Sequence, residues 1–270
     1  MKYVLIYLCI ILIVYYTINK SLNYELFNNK FPNKFYHDYL ILKDKSSIPK
    51  IIISTYHDKT KIPSKVYENI KQYAPDYKHI IYDDNEVVLF LKKYFDGKVL
   101  NTFYTLHKGA HKADLFRYCY LYQFGGIYMD IKTKLIKNIN TVFNKKNVDF
   151  YTVTSMFRGT IYQGVLASKP KNPLFLSLIE HMINVQKPVK IYFEFTRDLY
   201  RKLKLYYKIN NIENGYYKDP NNKYNIYLFH EKCSRNPMDC EDGLDKYNKC
   251  CYIYDNNEKV IKTRYSDYPW

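Results

Sequence analysis

The stretch of this chain richest in reactive side chains is KGAHKADLFRYCYLYQFGGIYMDIK, residues 108–132. His107, His111, Asp114 and Arg117 follow at spacings of 4, 3 and 3, which places them along one face if the segment is helical. On their own, Asp114 and Arg117 could form a solvated i,i+3 ion pair. Further on, however, Gly125-Gly126 ends the helix, and the apolar strand that follows carries Asp130 at its tip and Lys132 two residues later. An acid and a guanidinium from a helix thus approach an acid from a strand, beside a turn small enough for a ligand to come close. Carboxylates accept pairs of hydroxyl donors, and a planar guanidinium suits phosphate.

The elements that must position these groups alternate between strands and helices. IPKIIIST (48–55) is a continuous apolar run after a proline, and residues 79–83 form a second strand. Helices are predicted from Pro63 to about residue 73, from an Asp83 or Asp84 cap through residue 95, and from about 105 to 124. DFYTVTS, YQGVLASK and NIYLF read as later strands, and residues 172–183 and 193–207 as helices. The pattern predicts an α/β fold with a mostly parallel central sheet flanked by helices. In such sheets ligands lie beyond the carboxyl ends of the strands, so residues just after Thr55, Tyr82 and Tyr128 should line one crevice. His230-Glu231, after NIYLF, could reach it as a lid.

The 270 residues allow one domain with a short appendage. Their 33 Tyr imply that tyrosine fills part of the core, and 25% charged residues exclude a disordered, collagen-like or wholly membrane-embedded chain. With 42 Lys+Arg against 26 Asp+Glu the formal charge is +16, which favours anionic partners or reflects an AT-rich gene. The lysines are dispersed and no nucleic-acid-binding signature occurs, so nucleic acid is not an expected partner. Phosphate-loop, dinucleotide, zinc-protease and serine-hydrolase motifs are absent from the sequence.

Residues 3–18, YVLIYLCIILIVYYTI, carry no charge and are flanked by Lys2 and Lys20. They predict an uncleaved signal anchor over residues 1–20, with a stem at 21–47 and a catalytic domain at 48–270 on the lumenal side of a single-pass membrane protein. Cys119 reads as a buried thiol. Cys233, Cys240, Cys250 and Cys251 cluster near the end and suggest one or two disulfides, in any of three full pairings, with a zinc site as the rival.

Three segments resemble the glycosyltransferases that carry a DxD sugar-binding motif, typified by the yeast Golgi initiating α-1,6-mannosyltransferase and akin to the clostridial glucosylating toxins. IPKIIISTY resembles the family's opening strand. Ala113-Asp114 with Arg117-Tyr118 and Gly125-Gly126-Ile127-Tyr128-Met129-Asp130 resembles its central block, and GVLASKPKNPLF (164–175) a later strand and proline-opened helix. The resemblance implies a nucleotide-sugar-binding domain of the GT-A type. It implies retaining transfer of a hexose from a nucleotide diphosphate sugar to a glycan or glycoprotein. It further implies that Tyr56 and Thr55 lie near the nucleotide, that Asp114 binds sugar hydroxyls, that Arg117 clamps sugar or phosphate, and that Asp130 contacts ribose, sugar and metal. Tyr128, Gly125 and Gly126 would support the donor.

One position departs from the family. The second acid of the motif, which helps hold a divalent ion (Mn or Mg), is Lys132 here. Three readings stay open: Lys132 supplies the missing positive charge, Asp130 holds the metal with a distant ligand, or the chain is a catalytically silent sugar-binding subunit.

Overall fold

The computed structural model describes residues 47–264 apart from 221, 222, 241 and 242. The anchor expected at 1–20 and all but the last residue of the stem lie outside the described residues. Among the described residues no helix is long and apolar enough to cross a membrane.

Strand β1 (Ile51–Thr55) is buried through its first four residues, as a continuous apolar run requires. Helix α1 (Ser64–Tyr73) leads to β2 (Lys78–Tyr82), parallel to β1. Helix α2 (Asp84–Tyr94) starts at a capping box in which the Asp83 carboxylate accepts from Glu86 N–H and the Glu86 carboxylate from Asp83 N–H, both at 2.9 Å. Helices α3 (Gly97–Thr105) and α4 (Gly109–Phe124) follow, and β3 (Gly126–Met129) then pairs parallel with β1.

The helix expected from about 105 to 124 begins instead at Gly109, and a separate helix not expected from the sequence, α3, ends at Thr105. Leu106, buried in the corner between them, takes an extended conformation and breaks the run. His107 consequently lies outside α4 and not on its face.

The second half contains β4 (Lys134–Leu135), α5 (Ile139–Val142), β5 (Phe150–Thr154), β6 (Ile161–Ser168), α6 (Pro173–Asn184), α7 (Glu194–Tyr207), β7 (Gly215–Tyr217), β8 (Ile226–Ser234), β9 (Cys250–Asp255) and β10 (Glu258–Thr263). All ten strands join one sheet in the order β2-β1-β3-β6-β5-β8-β9-β10-β4, with β7 on β8. Only β1/β2, β1/β3 and β5/β8 are parallel; the other pairs are antiparallel. The fold is α/β, but the expectation of a mostly parallel sheet is corrected. Parallel pairs need a long crossover, whereas β5–β6 and β8–β9–β10 follow one another without an intervening α-helix.

The core is aromatic. Phe90 packs on Tyr82, Phe116, Tyr120 and Phe124 at centroid distances of 5.3–6.2 Å, and Tyr151 stacks on Phe229 at 5.9 Å. Helix α4 is buried on every side from Asp114 to Leu121, so its polar residues need partners inside the protein. Cys119 is a buried free thiol. Of the three possible pairings the structure has Cys233–Cys251 and Cys240–Cys250, which leaves no thiolate for the rival zinc site.

Candidate active site

A cavity of about 690 Å³ opens where the carboxyl end of β3 meets α4. Asp114, Arg117, Asp130 and Lys132 all line it. Asp114 and Arg117 come from neighbouring turns of α4, 3.6 Å apart and both almost fully buried, so they pair as the i,i+3 spacing allows but not as a solvated surface bridge. Arg117 donates through Nε to Ala113 O (3.1 Å) and through Nη1 to Gln163 O, and its guanidinium carbon lies 4.2 Å from the Tyr128 ring centroid. Burial opposes the Arg117 charge, but Tyr128, Asp114 and Asp130 outweigh it and hold the guanidinium protonated more firmly than usual. Burial pushes the Asp114 carboxyl up from the ordinary range, with Arg117 and His111 pulling back. His111 is buried under Tyr192, its Nε2 3.0 Å from the Tyr192 carbonyl oxygen.

Asp130 and Lys132 occupy a fixed turn. Asp130 N–H donates to Gly164 O at 2.8 Å, and Thr133 donates to Asp130 O through both its N–H (2.8 Å) and its hydroxyl (2.6 Å). The remaining walls were not foreseen from the sequence: the β5–β6 corner with Met156 and Phe157, the approach to α7 with Tyr192 and Phe193, and Arg235, Lys249 and Arg264 from the C-terminal part. Glu231 is no lid. It is buried, and it accepts from Ser155 Oγ (3.2 Å), Met156 N–H (3.2 Å) and Thr263 Oγ1 (2.9 Å), which fixes the corner that bears Met156 and Phe157. His230 is turned to Thr154 Oγ1, 3.0 Å from Nδ1.

Other expected donor residues lie off the cavity wall. Gly125 and Gly126 stand at the amino end of β3; an added Cβ would meet Ser168 O at 2.6 Å and Ile51 O at 3.0 Å, so the close approach they permit is by the protein's own backbone. Tyr128 is wholly buried, its hydroxyl 3.3 Å from Thr55 Oγ1, and it supports Arg117 from beneath. Tyr56 packs against Ile62, Val66, Ile81 and Ile131. The crevice is thus built from α4, the turn after β3 and later segments, and the residues that follow β1 and β2 do not line it.

The lining residues do not suit a divalent ion. Mg and Mn take several hard oxygen ligands. Asp114 already faces Arg117, the carboxylate expected two residues after Asp130 is Lys132, and further cations surround the pair. Among the described residues the cluster of ligand-type atoms that comes together is Glu231, Cys233 and Cys251, and its two sulfurs form one disulfide.

Residues 60–149 match the family model described as a glycosyltransferase sugar-binding region containing a DXD motif. An uncharacterised glycosyltransferase of Acanthamoeba polyphaga mimivirus is 28% identical over 218 residues, 74% of this chain and 84% of the relative. The initiation-specific alpha-1,6-mannosyltransferase of Candida albicans is 27% identical over 146 residues, 48% of this chain but 34% of that protein's length. The solved structure of the PaToxG glycosyltransferase aligns over 70% of this chain and 79% of its own at 18% identity, with a TM-score of 0.46. Residues 60–149 are therefore similar to the sugar-binding region of glycosyltransferases that carry a DXD motif, and the chain resembles enzymes of that kind.

Proposed function

We propose that this chain transfers a hexose from a nucleotide diphosphate sugar to a glycan or glycoprotein acceptor, with retention of anomeric configuration. The observation that carries the reading is that Asp114, Arg117 and Asp130, distant in sequence and borne on a helix and a strand end, line one cavity of about 690 Å³. That volume falls within the range of small-molecule sites. Asp114 and Asp130 accept hydroxyls of the sugar and ribose. Arg117, held by Tyr128, Gln163 and Asp114, is prepositioned for sugar or phosphate. The rings of Phe157, Tyr192, Phe193 and Tyr247 on the cavity wall offer flat faces for the acceptor.

In the transfer the bond from the sugar's anomeric carbon to the diphosphate oxygen breaks, and its electron pair stays on that oxygen. The acceptor hydroxyl oxygen bonds to the same carbon from the same face, and its proton passes to the departing diphosphate. No protein nucleophile is required. The mannosyl activity named for the Candida relative supports a hexose donor.

Residues 48–270 are the catalytic domain, with a stem at 21–47 and an anchor at 1–20 that holds it on the lumenal side of a membrane. Two disulfides support an oxidising compartment. A second reading, a silent sugar-binding subunit, is favoured by Lys132 alone.

The test is release of nucleoside diphosphate from a panel of nucleotide sugars by the full chain. Asp130→Asn should reduce release at least about 100-fold, the order seen when a fixed group that stabilises a transition state is lost. Unchanged release in that variant removes the reading; donor binding without turnover on a broad acceptor panel selects the silent subunit.

A further inference from the structure

We infer that the cavity holds the diphosphate of its donor by side-chain cations in place of a divalent metal. The inference rests on the reading that the cavity binds a nucleotide sugar, and it assigns roles to Arg235, Lys249 and Arg264, which lie outside every recognisable motif. These three line the wall together with Lys132. Among the described residues neither Lys132 nor Arg235 pairs with a carboxylate, and the two acids on the wall are Asp114, which pairs with Arg117, and Asp130. Gathering like charges around one space is costly unless an anion lies among them.

The cations are built into place. Lys132 comes from the turn that Thr133 ties to Asp130 O. Arg235 and Lys249 stand at the two ends of the β8–β9 connection, where Cys233–Cys251 joins the flanking strands and Cys240–Cys250 closes the loop from within. The Lys249 ammonium lies 3.6 Å from Met156 Sδ and 5.6 Å from the Phe157 ring centroid, on the corner that Glu231 fixes. Arg264 directly follows β10. A diphosphate entering between them gains charge-assisted hydrogen bonds from both sides, and these strengthen as negative charge collects on the departing oxygen. Lysine at 132 and the C-terminal cations thus meet the need that a metal meets in a pair of acids.

The experiment is calorimetry of inorganic pyrophosphate binding to the full chain, in EDTA and in manganese. Binding should persist in EDTA and change less than about twofold on adding manganese. Lys132→Gln and Arg235→Gln should each weaken it about tenfold, the size of one charge-assisted hydrogen bond, while Lys132→Arg retains it. Lys132→Asp should bind poorly in EDTA and gain affinity with manganese. Unaltered melting temperatures show that the variants are folded. Wild-type binding that vanishes in EDTA and returns with manganese overturns the inference, as do unchanged affinities in both glutamine variants. The two readings fail separately. Metal-free pyrophosphate binding without turnover of any nucleotide sugar supports the cation site and defeats sugar transfer; turnover that strictly requires manganese defeats the cation site and keeps sugar transfer.

Discussion

The guanidinium of Arg117 lies over the ring of Tyr128, 4.2 Å from its centroid, one residue from the strand end that carries Met129 into Asp130. Helix and strand thereby contribute to one buried unit, with Asp114 3.6 Å from the same guanidinium. Its position depends on a ring that does not itself line the cavity.

This predicts an asymmetric response to substitution. Arg117→Met leaves Asp114 buried without its partner and the Gln163 carbonyl without its donor, so it should destabilise the fold by about 3–5 kcal/mol. Arg117→Lys keeps the charge but loses the flat contact with Tyr128 and the bond to Ala113 O, for a smaller loss of about 1–2 kcal/mol. Urea unfolding monitored by circular dichroism measures both; equal losses would show that the charge kept by lysine contributes nothing to stability.

Acid stability should depend on His79. Burial lowers its pKa from 6.5 to about 4. Its Nε2 is 3.1 Å from Ser54 Oγ, whose hydroxyl donates to Met129 O at 2.6 Å, so the neutral ring donates to Ser54. The unfolded chain takes the proton at the higher pH, so this contribution is complete above pH 6.5, falls as pH drops through the interval to about 4, and is flat below. Its ceiling is about 3 kcal/mol. The stability difference between wild type and His79→Gln should therefore shift across that interval in urea titrations at stepped pH. A constant difference would place no titration at His79.

Much of the site was legible because its signals are local. Asp114, Arg117, Asp130 and Lys132 fall within one helix–glycine–strand block whose spacing and turn chemistry dictate their approach, and the boundaries of β1, β2, α1 and α2 follow from apolar runs, Pro63 and the Asp83 cap. Arg235, Lys249 and Arg264 were not legible, because their approach depends on β8–β9–β10 pairing across the sheet. Nothing in residues 235–264 alone reveals that β8 adds parallel to β5 and swings this segment over the β3 end. Gly125-Gly126 misled for a related reason: two glycines report that something comes close, and only the fold says whether it is a ligand or Ser168 O.

Each disulfide should contribute about 2–4 kcal/mol by restricting the unfolded chain. Cys240 and Cys250 are buried with Tyr252, beside Ile136 and Leu244, so Cys240→Ala with Cys250→Ala loses the link and keeps much of the apolar contact. Dithiothreitol should lower the melting temperature of the wild type more than that of the double variant. An equal fall in both would mean that the Cys240–Cys250 link contributes nothing to stability.

The glycines separate backbone demand from mere tolerance. Gly125 has φ 68° and ends α4, and a Cβ there would meet Ser168 O at 2.6 Å and Pro170 N at 2.7 Å. Both neighbours are backbone atoms, so relief requires β6 or the turn after it to move away from β3, the strand that carries the chain to Asp130. Gly125→Ala should thus cost more than the roughly 1 kcal/mol of an ordinary left-handed alanine and reach several kcal/mol. Gly109, at the first turn of α4, has ordinary φ and open space where its Cβ would stand, so Gly109→Ala should stabilise by about 0.4–1 kcal/mol. Thermal melts of the two variants decide the matter: a Gly125→Ala protein as stable as wild type would show that the β3–β6 spacing is compliant and that Asp130 is not held by close packing at the other end of its strand.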